Sequence, residues 1–113
     1  MLKQSFRLRS STDFNKTYKF GRSTNAATLY IKALQTRQPI SRCAVVVSKK
    51  VAKKATDRNK IKRRVAEIVR VNWDKITPGY NLIISLKQDI ATLDQSKLEH
   101  EVLECLKRAG VVR

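Results

Sequence analysis

The strongest constraint on the fold is an amphipathic helix pattern that lies between two short apolar runs. Over residues 57–73 the inward-facing side chains fall within one arc of about 100° on a helical wheel. These side chains are Ile61, Val65, Ile68, Val69 and Asn72. Residues 42–48 and 80–86, on either side of the helix, have the apolar composition of buried strands. Because a helix connects the two strands, the segment is predicted to form a βαβ unit.

Three further segments complete the predicted architecture. Phe14 and Tyr18 share one face of a short helix over residues 11–20, and residues 27–34 alternate as a strand. A last helix is expected over residues 96–109. The order α-β-β-α-β-α, with room for one extra short strand, predicts an α+β fold. We therefore expect a two-layer α/β sandwich that forms a single domain over residues 1–113.

The helix ends are predicted from capping residues. The expected starts are Ser11 or Thr12 for the first helix, Thr56 or Asp57 for the second and Ser96 for the third. The expected ends are Gly21 and Gly110.

The two faces of the predicted sheet differ in composition. One face is strongly apolar and comprises Leu29, Ile31, Val45, Val47, Leu82 and Ile84. The other face is small and mixed and comprises Thr28, Tyr30, Lys32, Ala44, Val46, Ser48, Asn81 and Ser85. Strands that bury only one face alternate in this way. We expect the mixed face to be partly covered and to form the floor of a groove.

The charge of the chain is large and unevenly distributed. Lys and Arg number 25 against 9 Asp and Glu, a formal net charge of +16. Residues 1–48 and residues 49–64 each hold nine basic residues and one acid, whereas residues 65–113 hold seven of each sign. Such an excess favours a polyanionic partner, and nucleic acid is the expected one. The apolar residues of the basic window are mostly Val, Ile and Ala, so it does not predict membrane binding.

Several functional classes lack the residues that they need. The chain has two cysteines, Cys43 and Cys105, and one histidine, His100, so a zinc site is not expected. The acids are scattered, so the chain lacks the paired carboxylates of a two-metal nuclease. Asp57 is better explained as a helix cap than as a metal ligand. No catalytic residue and no metal site are therefore predicted within this chain.

The basic segment between strand and helix is the candidate nucleic-acid contact. Asn59 adds an amide that both donates and accepts hydrogen bonds, and Ala66 leaves space for a backbone to approach. The loop lysines lie near the helix start, which favours anions. The candidate RNA-binding residues are Lys49, Lys50, Lys53, Lys54, Arg58, Asn59, Lys62, Arg63 and Arg70. Two other functions would also explain a basic segment of this kind. One is a small ribosomal or assembly protein, and the other, with less support, is a sequence-specific DNA-binding protein.

The same segment resembles a hallmark of the protein subunit of bacterial ribonuclease P. The family motif Ser-Lys-Lys…Ala-x-x-Arg-Asn-Arg-x-Lys-Arg corresponds here to Ser48-Lys-Lys…Ala55-Thr-Asp-Arg58-Asn59-Lys60-Ile61-Lys62-Arg63. Upstream, Arg7-Leu8, Asp13-Phe14, Tyr18, Gly21 and Leu29-Tyr30 also match. The resemblance covers nearly the whole chain. Two positions depart from the pattern: Lys60 stands at the second arginine of the box, and Ala52 stands where glycine is common.

The resemblance implies a function, which we state as an expectation. The protein would assist a catalytic RNA that uses bound Mg²⁺ to remove the 5′ leader of precursor tRNA, and it would not itself be the catalyst. Its βαβ unit would have a left-handed crossover. A cleft would hold the single-stranded leader, lined by Phe14, Tyr18, Tyr30 and Lys32. For Phe14 and Tyr18 the alternative is a place in the core.

The expected partners are the catalytic RNA and precursor tRNA, with no membrane and no obligate protein partner. The first residues, Met1 to Arg7, lack the apolar region of a signal peptide, and a cytoplasmic location is expected.

Overall fold

A computed structural model describes residues 3–112 and shows a four-stranded sheet with three α-helices. The elements are α1 (Ser11–Phe20), β1 (Arg22–Asn25), β2 (Leu29–Gln35), β3 (Arg42–Val46), α2 (Ala55–Val71), β4 (Tyr80–Leu86) and α3 (Gln95–Arg108). Single 3₁₀ turns occur at Gln4–Phe6 and Trp73–Lys75. The α+β class and the predicted order are confirmed, and β1 is the extra short strand.

The strand order in the sheet is β1-β2-β4-β3. β4 pairs antiparallel with β2 and parallel with β3. Since α2 connects β3 to its parallel neighbour β4, the predicted βαβ unit is confirmed. β3 is an edge strand, and the segment before α1 covers part of its edge. There the Leu8 N–H donates to the Cys43 carbonyl at 3.0 Å.

The main core lies between one face of the sheet and the helices α2 and α3. The predicted apolar face supplies Leu29, Ile31, Val47, Leu82 and Ile84, which are all buried. The helices contribute Ile61, Val65, Ile68, Val69, Leu98, Val102, Cys105 and Leu106. Val45 is only half-buried, because it lies on the edge strand beside an open groove.

The opposite face of the sheet carries α1, which packs against β2 and β4. Thr17 of this helix is fully buried against the sheet, and its hydroxyl donates to the Asp13 carbonyl at 2.8 Å. Tyr30, Lys32 and Val46 on this face remain partly exposed. The mixed face is therefore only partly covered, as the alternation predicts.

The helix starts differ from those predicted. Ser10, and not Ser11 or Thr12, caps α1 by accepting the Asp13 N–H at 3.4 Å. α2 begins at Ala55, two residues early, and Lys54 precedes it without a side-chain cap. α3 begins at Gln95 after Asp94.

The C-terminal end of α2 also differs from the prediction. The helix ends at Val71, since the chain winds into a 3₁₀ turn from Trp73. The Asn72 side chain is buried at this point, and it donates to the Ile68 carbonyl at 2.8 Å and to the Glu99 carboxylate at 3.1 Å. These bonds explain why a polar residue can occupy the inward arc of the helix.

Gly21 follows α1 for a reason that the sequence does not show. Its φ is −67°, so it does not adopt the left-handed conformation expected of a glycine after a helix. A Cβ at this position would lie 2.4 Å from the Thr17 carbonyl oxygen and 3.4 Å from the backbone of Ala33. Gly21 is therefore required by the last turn of α1, whose Thr17 carbonyl leaves no room for a Cβ, whereas the contact with β2 alone would admit one.

Both cysteines are buried, as expected of small core residues. Burial raises the pKa of the Cys43 thiol to about 12. Burial also raises the pKa of Cys105, whose Sγ lies 3.4 Å from the Thr24 carbonyl oxygen. His100 is exposed on α3.

Candidate nucleic-acid interface

The loop between β3 and α2 presents its lysines to solvent. Val51 and Ala52 donate their N–H groups to the Ser48 carbonyl at 3.1 and 3.2 Å, which folds the loop into a compact turn. Ala52 is buried, and no residue other than glycine has positive φ among residues 3–112. Alanine therefore fits where the family pattern favours glycine. The four lysines of the loop, Lys49, Lys50, Lys53 and Lys54, are exposed.

Arg58 fastens this loop to the first turn of α2. One terminal nitrogen of its guanidinium donates to the Ala52 carbonyl at 3.0 Å and to the Lys53 carbonyl at 2.7 Å. The side chain is accordingly half-buried. Its structural role is to hold the lysine loop in place, a role that the motif alone does not reveal.

Among the next exposed residues of α2, Lys62 borders a groove at the edge of β3. Asn59, Lys62 and Arg63 are exposed on the helix. The groove has a volume of about 230 Å³ and a mainly apolar floor. Its lining residues are Arg7, Leu8, Arg9, Cys43, Ala44, Val45, Lys62, Ala66 and Val69. An apolar floor with a cationic rim suits a nucleobase and its phosphates.

The remaining cations of α2 are used differently. Lys60 borders a separate pocket with Asp57 and Asp89, away from the groove. Arg70 pairs with Glu67, and its Nε lies 3.0 Å from the carboxylate. Hydrogen bonding to Arg70 lowers the pKa of Glu67, and the same contact raises the pKa of Arg70. Arg70 is thus a predicted RNA-binding residue whose charge is locally neutralised.

Arg63 and Arg64 are neighbours in sequence but have different environments. Arg63 is exposed. The Arg64 guanidinium donates to the Ile90 carbonyl at 2.6 Å, to the Gln95 side chain at 2.8 Å and to the Leu93 carbonyl. Arg64 therefore ties α2 to the loop that precedes α3.

An aromatic cluster lies where α1 meets the mixed face of the sheet. The rings of Phe14 and Tyr18 stack with centroids 6.4 Å apart and an interplanar angle of 11°. Tyr18 is 49% exposed, and neither ring belongs to the main core. The Lys32 ammonium lies 4.7 Å from the centre of the Tyr18 ring and donates to the Tyr18 carbonyl at 2.7 Å. The structure thus brings the predicted cleft residues together at the surface.

The two tyrosine hydroxyls of the cluster interact with each other. Hydrogen bonding to Tyr30 raises the pKa of Tyr18. Hydrogen bonding to Ser85 and to Tyr18 lowers the pKa of Tyr30, and the charges of Lys32 and Lys87 lower it further. Tyr30 is therefore the more acidic of the pair.

This arrangement predicts two separate tyrosine ionisations. In an ultraviolet absorbance titration we expect Tyr30 to ionise below the ordinary pH for tyrosine and Tyr18 to ionise above it. A Tyr30→Phe substitution removes the lower transition, and the transition of Tyr18 then moves down because its partner is gone. Tyr80→Phe is the control and leaves both transitions in place. Titration of both cleft tyrosines at one pH would contradict the proposed contact.

The side chains of this surface do not fit a resident magnesium ion. Mg²⁺ prefers oxygen ligands, above all carboxylates. Across residues 3–112 no group of three or more His, Cys, Asp or Glu side chains is close enough to hold a metal. The cationic loop and helix would repel a divalent ion. We therefore derive no step from a metal bound to the protein alone.

None of the helices described between residues 3 and 112 is long and apolar enough to cross a membrane.

The fold and the surface define a small basic α+β protein with an aromatic cluster at its surface and a cationic groove. The sequence profile of the ribonuclease P family matches residues 2–110. The chain belongs to the ribonuclease P protein family. Membership implies a role in tRNA processing and partnership with ribonuclease P RNA.

Individual relatives agree with the family match. The chain is 34% identical over 113 residues to the ribonuclease P protein component of Roseiflexus castenholzii, covering 99% of this chain and 92% of that protein. It is 33% identical over 106 residues to the corresponding component of Clostridium botulinum, covering 93% and 95%.

Solved structures show the same architecture. The RNase P protein from Thermotoga maritima superimposes with a TM-score of 0.81 at 31% identity, covering 90% of this chain and 96% of that chain. The Staphylococcus aureus RNase P protein gives a TM-score of 0.84 at 26% identity, covering 96% and 98%.

Proposed function

We propose that this chain is the RNA-binding protein subunit of ribonuclease P. It binds the catalytic RNA through α2 and the preceding loop, and it holds the 5′ leader of precursor tRNA in the aromatic cleft. The observation that carries the proposal is the exposed surface that Asn59, Lys62 and Arg63 form on α2, where Lys62 lines the groove. Among the described residues no carboxylate lies within hydrogen-bonding distance of these three side chains. Their charge and their donors therefore face outward, toward a polyanion.

The division of labour follows from the chemistry of the residues. Hydrolysis of a phosphodiester needs an activated water and stabilisation of the developing charge. The described part of the chain offers no carboxylate cluster for Mg²⁺ and no buried histidine base. In the proposed holoenzyme the magnesium ions are ligated by RNA oxygens. The protein contributes binding energy and position.

Leader recognition is assigned to the aromatic cluster. Stacking of an unpaired base on an aromatic ring contributes about 1–3 kcal/mol and tolerates any base. Lys32 holds the exposed Tyr18 ring in place from one side. A leader of any sequence can therefore bind, as an enzyme that acts on many precursor tRNAs requires. We place this assembly in the cytoplasm.

Reconstitution tests the proposed function directly. We expect the purified chain with Mg²⁺ to leave precursor tRNA uncut. Addition of a bacterial ribonuclease P RNA at low Mg²⁺ should yield the mature 5′ end faster than the RNA does alone. Cleavage at the mature end without added RNA would overturn the non-catalytic role, and no stimulation of the RNA would overturn the subunit assignment.

Lys62 and Lys60 provide a matched pair on opposite sides of α2. We expect Lys62→Ala to weaken binding to ribonuclease P RNA by about fivefold and to reduce the slope of log K against log salt by about 1. Lys60→Ala removes the same charge away from the groove, so it should have a much smaller effect. Filter binding over a range of salt concentrations measures both. Equal losses would show that only net charge matters and not the groove.

Tyr30 gives the corresponding test of the cleft. With the holoenzyme, Tyr30→Ala should weaken binding of substrate that carries a leader by about tenfold and leave leaderless tRNA unaffected. Equal loss for both substrates would remove Tyr30 from the leader site.

A further inference from the structure

A second cluster of cations lies at the other end of α1, outside the Arg-Asn box. Arg7 and Arg9 precede the helix, and Arg42 begins β3. All three arginines line one open basin of about 490 Å³. Asp13 is the one carboxylate in that lining, so three guanidinium groups outnumber it. We call this surface the arginine basin.

Neutral amides position two of these arginines. Arg42 donates to the Gln38 side-chain oxygen. The terminal nitrogens of Arg9 lie 3.1 and 3.3 Å from the Gln4 side-chain amide, oriented so that its oxygen accepts both. An amide orients a guanidinium without neutralising it, in contrast to the carboxylate of Glu67 beside Arg70. The guanidinium groups of Arg9 and Arg42 therefore keep their full charge and have further N–H donors for an anion.

The position of the arginine basin indicates which anion it meets. Ser10 and Asp13, at the start of α1, line it, and Phe14 follows directly. Ser10 and Tyr18 are separated by about 12 Å along the helix. Arg7 and Arg9 also line the groove beside Lys62. The arginine basin thus lies within reach of a strand that has already passed the aromatic cleft.

We propose that the arginine basin binds backbone phosphates of the leader beyond the nucleotides that stack on Tyr18 and Tyr30. The inference deepens the proposed function and rests on it. Planar guanidinium groups bind phosphate oxygens in pairs, and such contacts carry no base information. The site therefore favours long leaders over short ones, whatever their sequence.

Leader length is the variable that tests the proposal. Affinity of the reconstituted holoenzyme is measured for precursor tRNA with no leader, with a short leader that fills only the cleft, and with a long leader. We expect Arg42→Ala, at a residue that lines the arginine basin but not the groove beside Lys62, to weaken binding of the long-leader substrate by about fivefold. The other two substrates should bind as they do to the unsubstituted protein. The salt slope for the long leader should fall by about 0.7 per arginine.

Controls distinguish the loss of this contact from a loss of net charge, from misfolding and from a failure of the proposed function. Lys97→Ala removes one exposed charge on α3 and should change none of the three affinities. Arg42→Lys keeps the charge and should restore part of the loss if Arg42→Ala acts through phosphate. Equal losses for all three substrates, or weaker binding to ribonuclease P RNA alone, would overturn the leader assignment. If Tyr30→Ala remains leader-selective while the arginine variants do not, only this inference fails.

Discussion

An Arg64→Ala variant is expected to lose about 2–3 kcal/mol of free energy of unfolding, whereas Arg63→Ala should lose very little. The Arg64 guanidinium makes three hydrogen bonds to the segment between Ile90 and Gln95. Hydrogen bonds to a charged group contribute about 1.5–3 kcal/mol, and alanine would leave partly buried carbonyls without a donor. Ile90 belongs to the core, so the loss would also loosen its packing.

Binding of ribonuclease P RNA should rank the same two variants in the opposite order. Arg63 is exposed on α2 next to Lys62, and its loss should weaken RNA binding while stability is unchanged. Folded Arg64→Ala protein, assayed well below its melting temperature, should bind RNA nearly as well as the unsubstituted chain. Urea unfolding and filter binding measure the two properties separately. Equal destabilisation by both substitutions would contradict the assigned roles.

A Gly21→Ala substitution is expected to destabilise the protein by about 3 kcal/mol. The new Cβ would lie 2.4 Å from the Thr17 carbonyl oxygen, which is backbone and cannot rotate away. Relief of the overlap requires the last turn of α1 to open, with loss of the 2.8 Å hydrogen bond from the Gly21 N–H to the Thr17 carbonyl. That movement would also separate the Tyr18 carbonyl from the Lys32 ammonium, now 2.7 Å apart. Loss of leader binding should therefore accompany the loss of stability.

Gly110→Ala is the control that distinguishes the steric overlap at residue 21 from the general cost of replacing a glycine. Gly110 has a φ of +79°, but a Cβ there would meet no atom within 4 Å. Its replacement should cost about 1 kcal/mol through backbone strain alone, and leader binding should be unchanged. Urea unfolding of both variants makes the comparison. A Gly21→Ala protein as stable as Gly110→Ala would show that α1 is not held as tightly as described.

The parts of the fold that the sequence predicts are those with strong local signals. β4 has the predicted bounds, 80–86, because its apolar run ends in the Pro78-Gly79 turn on one side and in charged residues on the other. β1 is not predicted as a defined segment. Its four residues, Arg22–Asn25, are polar and mostly exposed, and only pairing with β2 makes them a strand.

The candidate site shows the same division between local and long-range information. The box around Arg58 and Asn59 is visible in the sequence because its residues are consecutive. The different roles of Arg63 and Arg64 are not visible, since both are arginines on one helix and only the fold places Ile90 beside one of them. Arg9 and Arg42 are far apart in the chain, so no motif could group them. Side-chain partners of this kind depend on tertiary packing and not on periodicity.

The burial of Cys43 and Cys105 has a practical consequence for experiments that follow assembly of the protein with RNA. Because burial raises the pKa of the Cys43 thiol to about 12, the thiol is almost entirely un-ionised at neutral pH and is a poor nucleophile. A maleimide dye should therefore pass over both natural cysteines and label a new one at an exposed position such as Ser23. Distances between protein and RNA fluorophores then become measurable in an otherwise native chain.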